Sequence, residues 1–420
     1  LAAINGLNRF SLCLTVVGTT TGVESEWSAF MINKKRIVLT VSSIFFCFVS
    51  FALAKPDNKE AQIDTNDFYN STHHWYDIFD AKNIINPEPN QPLYKLTQIK
   101  EIADNVLLYQ RDDGGWPKNY DMQAILTPEQ HDKVIKAKSQ AHTTFDNCTT
   151  YSHIKYLAQA YEITKTEKYK DACLKGIDFT LSAQYPNGGW PQYFPLESNY
   201  SRRITFNDDV MAGIMDMLKD ILDNKSFYSF VDSARREKAK IAFDKGLSCI
   251  LKCQINDNGT LTAWCQQHDE VNLAPAWARA YEPPSICGRE SAPVVLFLMS
   301  IDKPSKEVIK SVTSAVKWFE DSEIKGIRVE EFNAPEINTG LRILKTDRRV
   351  VEDKSAPPIW ARFYELKTHK PLFANRKSEL LYSMAEVDRE RRAYGWYTYE
   401  PQRVLDQYPA WQKKWTTGPK

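Results

Sequence analysis

The stretch Gln184-Tyr185-Pro186-Asn187-Gly188-Gly189-Trp190-Pro191 decides how the chain is organised, because it recurs. Gln110-Arg111-Asp112-Asp113-Gly114-Gly115-Trp116-Pro117 has the same plan, and Gln254-Ile255-Asn256-Asp257-Asn258-Gly259, with Trp264 soon after, is a looser third copy. The segments before the last two copies align at an offset of 70: Lys170, Ala172, Lys175, Gly176, Leu181 and Gln184 match Lys240, Ala242, Lys245, Gly246, Leu251 and Gln254. Such a period marks stacked supersecondary units, each unable to bury its own apolar face. The faces are helical. Ile154, Leu157, Ala158 and Tyr161 fall at i, i+3, i+4 and i+7, and Met211, Ile214, Met215 and Leu218 mark another helix. Strands are not expected as a recurrent feature. Helix pairs joined by Gly-rich turns at one end stack as a solenoid or curl into an α/α toroid, and either way the turns gather on one face. The glycines permit positive φ after a helix and the tryptophan plugs the gap between pairs. Lining a polysaccharide groove is the other reading of these turns, and for each tryptophan alone packing is the better one.

Composition narrows the function. The chain has 420 residues, 43% apolar and 25% charged, with a formal net charge of +1. These values exclude a disordered or collagen-like chain and a many-pass membrane protein. Neutral balance argues against a nucleic-acid binder, which would carry a basic excess. Aromatic residues suit sugar stacking, but composition alone favours ordinary packing.

A second apparent start lies at Met31, followed by Lys34-Lys35-Arg36, an apolar run from Ile37 to Leu53 and the small-x-small pattern Ala52-Leu53-Ala54. That order reads as a secretory signal peptide over 31–54, with an uncleaved anchor as the alternative. Residues 1–30 are an upstream segment of unclear status, 55–94 an N-terminal extension, and 95–420 the catalytic domain. The expected location is outside the cell or in the periplasm. Six cysteines follow the leader, from Cys148 to Cys287, none at zinc-site spacing, and they read as mostly buried thiols with room for one disulfide.

Two acidic stretches open helices: Thr144-Phe145-Asp146-Asn147-Cys148-Thr149 and Thr205-Phe206-Asn207-Asp208-Asp209. Asp146, Asn147 and the paired aspartates are either helix caps or oxygen ligands converging from successive repeats, of a kind that suits Ca²⁺. No EF-hand pattern is present. Arg279 lies in Ala276-Trp277-Ala278-Arg279-Ala280-Tyr281-Glu282, Arg362 in Trp360-Ala361-Arg362-Phe363-Tyr364-Glu365 and Arg376 in Phe373-Ala374-Asn375-Arg376. Each is singly an ion-pair residue, Arg279 with Glu282 for instance. Together with the acidic helix starts they suit a polyanionic sugar bridged by a cation. Lys118, just after the first turn, is either a solvated charge or a contact for a carboxylated ligand.

In joint order these fragments resemble the family 10 pectate lyases. Asp113-Gly114-Gly115-Trp116-Pro117-Lys118-Asn119, Thr144-Phe145-Asp146-Asn147, Gly188-Gly189-Trp190-Pro191-Gln192, Ile204-Thr205-Phe206-Asn207-Asp208-Asp209, Ala278-Arg279-Ala280-Tyr281-Glu282, Trp318-Phe319-Glu320 and Trp360 to Glu365 carry the resemblance across roughly 95–400. Glu290-Ser291-Ala292-Pro293-Val294-Val295 departs from it, where Glu-Ser-x-Gly-Ile is expected. The resemblance implies an all-α fold, an α/α toroid (an incomplete barrel) of repeated helix pairs with long loops forming a groove. It implies calcium-assisted β-elimination of polygalacturonate by a monomer, with no nucleic-acid partner and no membrane partner after leader removal. By position Arg279 is implied as catalytic base, Asp208 as the Ca²⁺ ligand (Asp209 being the alternative), Asp146 and Asn147 as neighbouring substrate-site residues, and Arg362 and Arg376 as binders of substrate carboxylates. Two other functions remain open: an inverting glycoside hydrolase with Asp146 and Asp208 as acid and base, and a pectin-binding protein without turnover.

Overall fold

The copies of the repeat are built alike, bond for bond. Gln110 donates from Nε2 to Gly114 O at 2.9 Å and across to Ala172 O at 2.9 Å. Gln184 donates to Gly188 O (3.0 Å) and Ala242 O (2.8 Å), and Gln254 to Thr262 O (2.9 Å) and Ser311 O (3.0 Å). Each glutamine therefore ties its own turn to a helix of the next unit. The tryptophans follow suit. Trp116, Trp190 and Trp264 are fully buried, and their indole N–H groups donate to Val106 O, Thr180 O and Ile250 O at 2.7, 2.9 and 2.7 Å. A buried indole N–H needs such an acceptor, and here the helix preceding each turn supplies it.

The computed structural model describes residues 61–77, 83–140, 142–340 and 343–416. The upstream segment 1–30 and the signal peptide 31–54 lie outside the described residues. Among the described residues the helices are α1 (Tyr69–Asp77), α2 (Ile99–Tyr109), α3 (Pro128–Lys136), α4 (Tyr151–Thr164), α5 (Glu167–Ser182), α6 (Val210–Leu222), α7 (Ser233–Cys253), α8 (Gly288–Ser300), α9 (Lys306–Ser322), α10 (Arg389–Arg392) and α11 (Glu400–Trp415). Helix α4 packs on α5, α6 on α7 and α8 on α9, so the expected pairs are present. The helices α2, α4, α6, α8 and α11 touch in series as one row, and α5, α7 and α9 form a second behind it. Among the described residues no helix is long and apolar enough to cross a membrane, and the six cysteines described are free, five of them buried. Pro293 sits inside α8.

The all-α expectation does not hold. The structure is mixed, 46% helical and 15% strand, with small antiparallel sheets. Ile204–Thr205 pairs with Gln267–His268, Trp360–Ala361 with Tyr397–Thr398, and Ile286–Cys287, Phe363–Tyr364, Pro371–Ala374 and Leu380–Leu381 make a four-stranded sheet. A longer ribbon joins Ile327–Asn338 to Ile343–Glu352. Strands of two residues are too short to show a period of two, which is why helical periodicity dominated the sequence. Their placement matters for the site. Thr144 N, Thr205 N and Cys287 N return to Trp116 O, Trp190 O and Trp264 O at 3.0, 3.0 and 2.8 Å. The chain is thereby brought back to the same end of each unit just before the next inward helix begins.

Two stability predictions follow from this packing. Gly188 has φ +98°, and a Cβ added there would stand 2.1 Å from Lys245 O. Gly188→Ala should cost roughly 3 kcal/mol or more in urea unfolding, backbone strain and collision together. Gly259, at φ +92° with nothing within 4 Å, isolates the strain, and Gly259→Ala should cost only about 1 kcal/mol. Equal losses would remove the collision as the cause. The second concerns acid. His153 is buried against Trp116 with Nδ1 accepting from Thr150 N at 3.1 Å, and burial pushes its imidazole down to about 3. His268 is likewise pushed down to about 4, burial outweighing its bond to Leu273 O. Both folded values lie below the unfolded one of about 6.5, so the unfolded chain takes up protons first as pH falls. Their contribution is full above pH ~6.5 and is lost on acidification towards the folded values, by about 1.4 kcal/mol per pH unit for each histidine. Unfolding free energy should drop by about 2 kcal/mol between pH 7 and 5.5, and the slope should halve in a His153→Leu protein.

Candidate active site

Phe145-Asp146-Asn147-Cys148 and Phe206-Asn207-Asp208-Asp209 form two 3₁₀ turns of the same shape. In each, the last two residues have positive φ: Asn147 52°, Cys148 59°, Asp208 48° and Asp209 61°. Asn and Asp tolerate this region because their short polar groups bond locally, so the residue types are chosen by the backbone as well as by chemistry. The turns pack directly on each other in front of α4 and α6. In register, Asp146 corresponds to Asn207 and Asn147 to Asp208. The two turns thus present carboxylate and amide in opposite order, and the Asp146 and Asp208 carboxylates meet within hydrogen-bonding reach.

The pair is electrostatically uneven. Asp146 is 3% exposed; burial opposes its charge, but the Lys118 ammonium in contact with it holds its carboxyl well below the usual range. Lys118 in turn stays protonated far above its ordinary value, the Asp146 charge overcoming burial, and lies 5.6 Å above the Tyr193 ring. Asp208 has no such close cation. Burial first, and the Asp146 charge second, push it up to about 7, with Arg289 Nη1 at 3.7 Å from Oδ1 opposing. Asp146 Oδ1 is buried without any donor. Asp209 faces away, towards a cavity of about 460 Å³ shared with Cys148, Tyr151, Asp216 and Pro293. Asp208, rather than its neighbour, is therefore the residue beside Asp146. Asn147 Nδ2 donates to Asn119 Oδ1 at 2.9 Å, which fixes its amide next to the pair.

Arg279 occupies the other half of the site. Its backbone N and its Nε donate to Glu282 Oε2 at 3.0 and 2.8 Å, and Nη2 donates to Glu282 Oε1. Its guanidinium lies 5.1 and 5.6 Å from the Tyr281 and Tyr394 rings, and Tyr394 OH also donates to Glu282 Oε1. The pairing with Glu282 allowed by the sequence is thus real. It has a chemical consequence. Burial works to lower the Arg279 pKa, but the Glu282 carboxylate prevails and raises it well above its ordinary value. Glu282, 2% exposed, is held down to about 2: burial is outweighed by Arg279, with Arg362 adding to the effect. Tyr200 is near both groups: burial pushes its phenol up to about 12, and the charges of Arg279, Glu282, Asp146 and Lys118 all act on it.

Arg362 is 4% exposed and committed to protein partners: Nε to Glu290 Oε1 at 2.8 Å, Nη2 to Asn207 Oδ1 at 2.7 Å, and its face 4.4 Å from the Tyr394 ring. Asn207 Nδ2 then donates to Asp208 Oδ2 at 2.7 Å. Arg362 therefore links the arginine half to the carboxylate half from beneath. Arg376 lies at the exposed rim, its Nε on Glu390. Nearby is Arg391, stacked 4.4 Å over Tyr281, whose buried Nε makes no hydrogen bond and lies 3.9 Å from Glu390 Oε1. The sequence reading missed Arg391, Tyr394, Asn207 and Arg289. Arg391-Arg392-Ala393-Tyr394-Gly395-Trp396 repeats the arginine-among-aromatics pattern that drew attention to Arg362, and it was the available signal.

The donor set is one of hard oxygens. Among the described residues no group of three or more His, Cys, Asp and Glu is disposed to hold a metal. Two neighbouring carboxylates, one with a donorless oxygen and the other pushed up by burial and then by its neighbour's charge, still fit a single oxygen-seeking cation completed by ligand and water.

The model of the pectic acid lyase family matches residues 110–405. A family 10 polysaccharide lyase from Cellvibrio cellulosa is similar to this chain at 30% identity and a TM-score of 0.65, and a mutant of it in complex with trigalacturonic acid at 30% and 0.66. Each comparison covers 74% of this chain and 92% of the other. No curated protein matches. The family match begins at Gln110, in the first Gly-Gly-Trp-Pro turn, and ends inside α11, taking in both 3₁₀ turns and all three arginines: the chain belongs to the pectic acid lyase family.

Proposed function

We propose that this pectate lyase cleaves α-1,4-linked polygalacturonate by calcium-assisted β-elimination, leaving 4,5-unsaturated oligogalacturonides, and that it acts as an exported monomer. The observation that carries the reading is the Asp146–Asp208 carboxylate pair, with Arg279 close enough that it and Asp146 both act on the Tyr200 phenol. The complex of the Cellvibrio enzyme with trigalacturonic acid supports the substrate class. The signal-like segment 31–54 supports export.

Asp208 and Asp146 would hold Ca²⁺, with Asn147 beside them. Bound there, Ca²⁺ would offset the charge of the galacturonate carboxylate and stabilise the enolate-like charge that develops when C5 loses its hydrogen. Lys118 supplies a fixed positive charge on the Asp146 side. Glu282 orients Arg279 through Nε and Nη2, and among the described residues Nη1 makes no hydrogen bond to protein. In its minor neutral form Arg279 takes the C5 hydrogen. The C5–H electrons become the C4=C5 double bond, and the C4 oxygen departs with its electron pair and acquires a proton. No water attacks the sugar. Arg362 holds Asn207 against Asp208, and Arg376 with Arg391 offers positive charge to substrate carboxylates along the rim.

An inverting hydrolase needs its two carboxyl groups about 6.5–9.5 Å apart to admit water. Asp146 and Asp208 touch, which disfavours that alternative. Polygalacturonate with Ca²⁺ should give the ultraviolet absorbance of unsaturated uronides, abolished by a chelator and restored by added calcium. Saturated ends without that absorbance would overturn the reading; activity indifferent to chelation would remove calcium from it.

A further inference from the structure

The family match begins at Gln110, yet a helix well before it reaches the site. Helix α1 packs against the 3₁₀ turn that carries Asp146 and Asn147. It is docked by Ser71, whose Oγ bonds the Tyr120 backbone at 3.2 Å, and by Trp75, 1% exposed, whose Nε1 donates to Ile85 O at 2.9 Å. His74, three residues after Ser71, lies on the docked side of the helix, next to Trp75 and half-buried at the edge of that face. From there it is near enough to Lys118 and Asp146 for both charges to act on it. Its Nδ1 lies 2.8 Å from Asn70 O. A carbonyl can only accept, so Nδ1 carries the hydrogen and Nε2 of the neutral ring bears a lone pair. Among the described residues Nε2 has no protein partner. Burial, the largest influence, lowers the His74 pKa, which keeps the ring neutral at pH 7. A second tie runs from the same region: Asn119 Nδ2 reaches Asn83 Oδ1 at 3.3 Å, while Asn119 Oδ1 holds Asn147.

We propose that His74, on a helix outside the family-matched residues, is a further substrate-binding residue that accepts a hydrogen bond from a galacturonate hydroxyl at the Lys118 end of the groove. The inference rests on the lyase reading above. A lone pair selects hydroxyl over carboxylate, so His74 reads the uncharged edge of the sugar while Lys118 reads the acid.

The test uses three full-length proteins: wild type, His74→Gln and His74→Phe. Glutamine keeps a neutral acceptor; phenylalanine keeps bulk and loses it. With trigalacturonate, His74→Phe should raise KM about tenfold, the worth of one hydrogen bond, with kcat falling no more than about threefold. His74→Gln should stay within about threefold of wild type in KM. Calorimetric titration of trigalacturonate should show the same order of affinities. A packing role predicts the reverse order, phenylalanine tolerated and glutamine not, and that result, or equal KM values in all three, overturns the proposal. Wild-type protein making no unsaturated product would instead sink the lyase reading, and the titration would still rank the three proteins.

Discussion

Arg279→Ala should lose about 10³-fold in kcat on polygalacturonate, because the proposed reaction makes its guanidinium the base that takes the C5 hydrogen. The alanine protein carries a complication that the geometry defines. Glu282 is buried, and removing its cation leaves only the residue-279 backbone N–H, Tyr394 OH and the more distant Arg362 to compensate, so the fold should also lose about 3 kcal/mol. Activity must therefore be compared at a temperature where circular dichroism shows the variant folded, and Arg279→Ala/Glu282→Gln removes the stranded charge. The proton-transfer role has its own signature. Glu282 raises the Arg279 pKa, so the neutral fraction at pH 7 to 9 is minute and grows about tenfold per pH unit. The kcat of the wild type should climb with that slope without a plateau up to about pH 10, whereas Arg279→Lys, which starts from an ordinary pKa near 10.4 and is raised by the same carboxylate, should level off at a lower pH than the wild type. A flat wild-type profile would make Arg279 a charge donor rather than a base. An alanine variant that is folded and keeps a tenth of the activity would remove it from the chemistry.

The parts of this molecule that could be read from sequence are those where one residue does one local task. Gly188 is dictated by a carbonyl that leaves no space for Cβ, Trp190 by the gap it fills, and Gln184 by two carbonyls that need a donor. Those tasks recur with each helix pair, so the repeat was visible. The small sheets were invisible because two-residue strands such as Ile204–Thr205 have no pattern of their own and exist only through partners elsewhere in the chain. The site divides the same way. Asp146 and Asp208 stood out as acids before helices, and their convergence from successive repeats was one of the two readings; the opposite order of carboxylate and amide in the two turns was not legible. Arg362 shows the limit best. Its loop of aromatics reads like a ligand-contacting segment, but its guanidinium meets Asn207, distant in sequence, and Glu290, neither of which any local pattern announces. The Tyr394–Glu282 contact is equally long-range.

Asp208→Asn separates function from stability more sharply than any other change at the site. Asp146 has its own cation in Lys118, whereas Asp208 is pushed up by burial and by the Asp146 charge, with only Arg289 and Arg362 opposing. In calcium-free buffer the native fold therefore carries a like-charge contact that these cations offset only in part, and asparagine, of the same shape, relieves it. The variant should unfold no earlier than wild type, and up to about 1 kcal/mol later, in the presence of a chelator. With calcium the order should invert: wild type gains stability from the bound ion, and the variant gains little. Activity should fall at least about 10²-fold at a calcium concentration that saturates wild type, since one of two anionic ligands is gone. Asp146→Asn should behave differently, losing stability even without calcium, because Lys118 is left without its partner. Thermal melts of the three proteins with and without calcium give six midpoints with a fixed expected ranking, and initial rates are read alongside them. If Asp208→Asn and Asp146→Asn destabilise the calcium-free fold equally, the uneven pair described here is wrong, and if Asp208→Asn keeps its rate at unchanged calcium, the ion sits elsewhere.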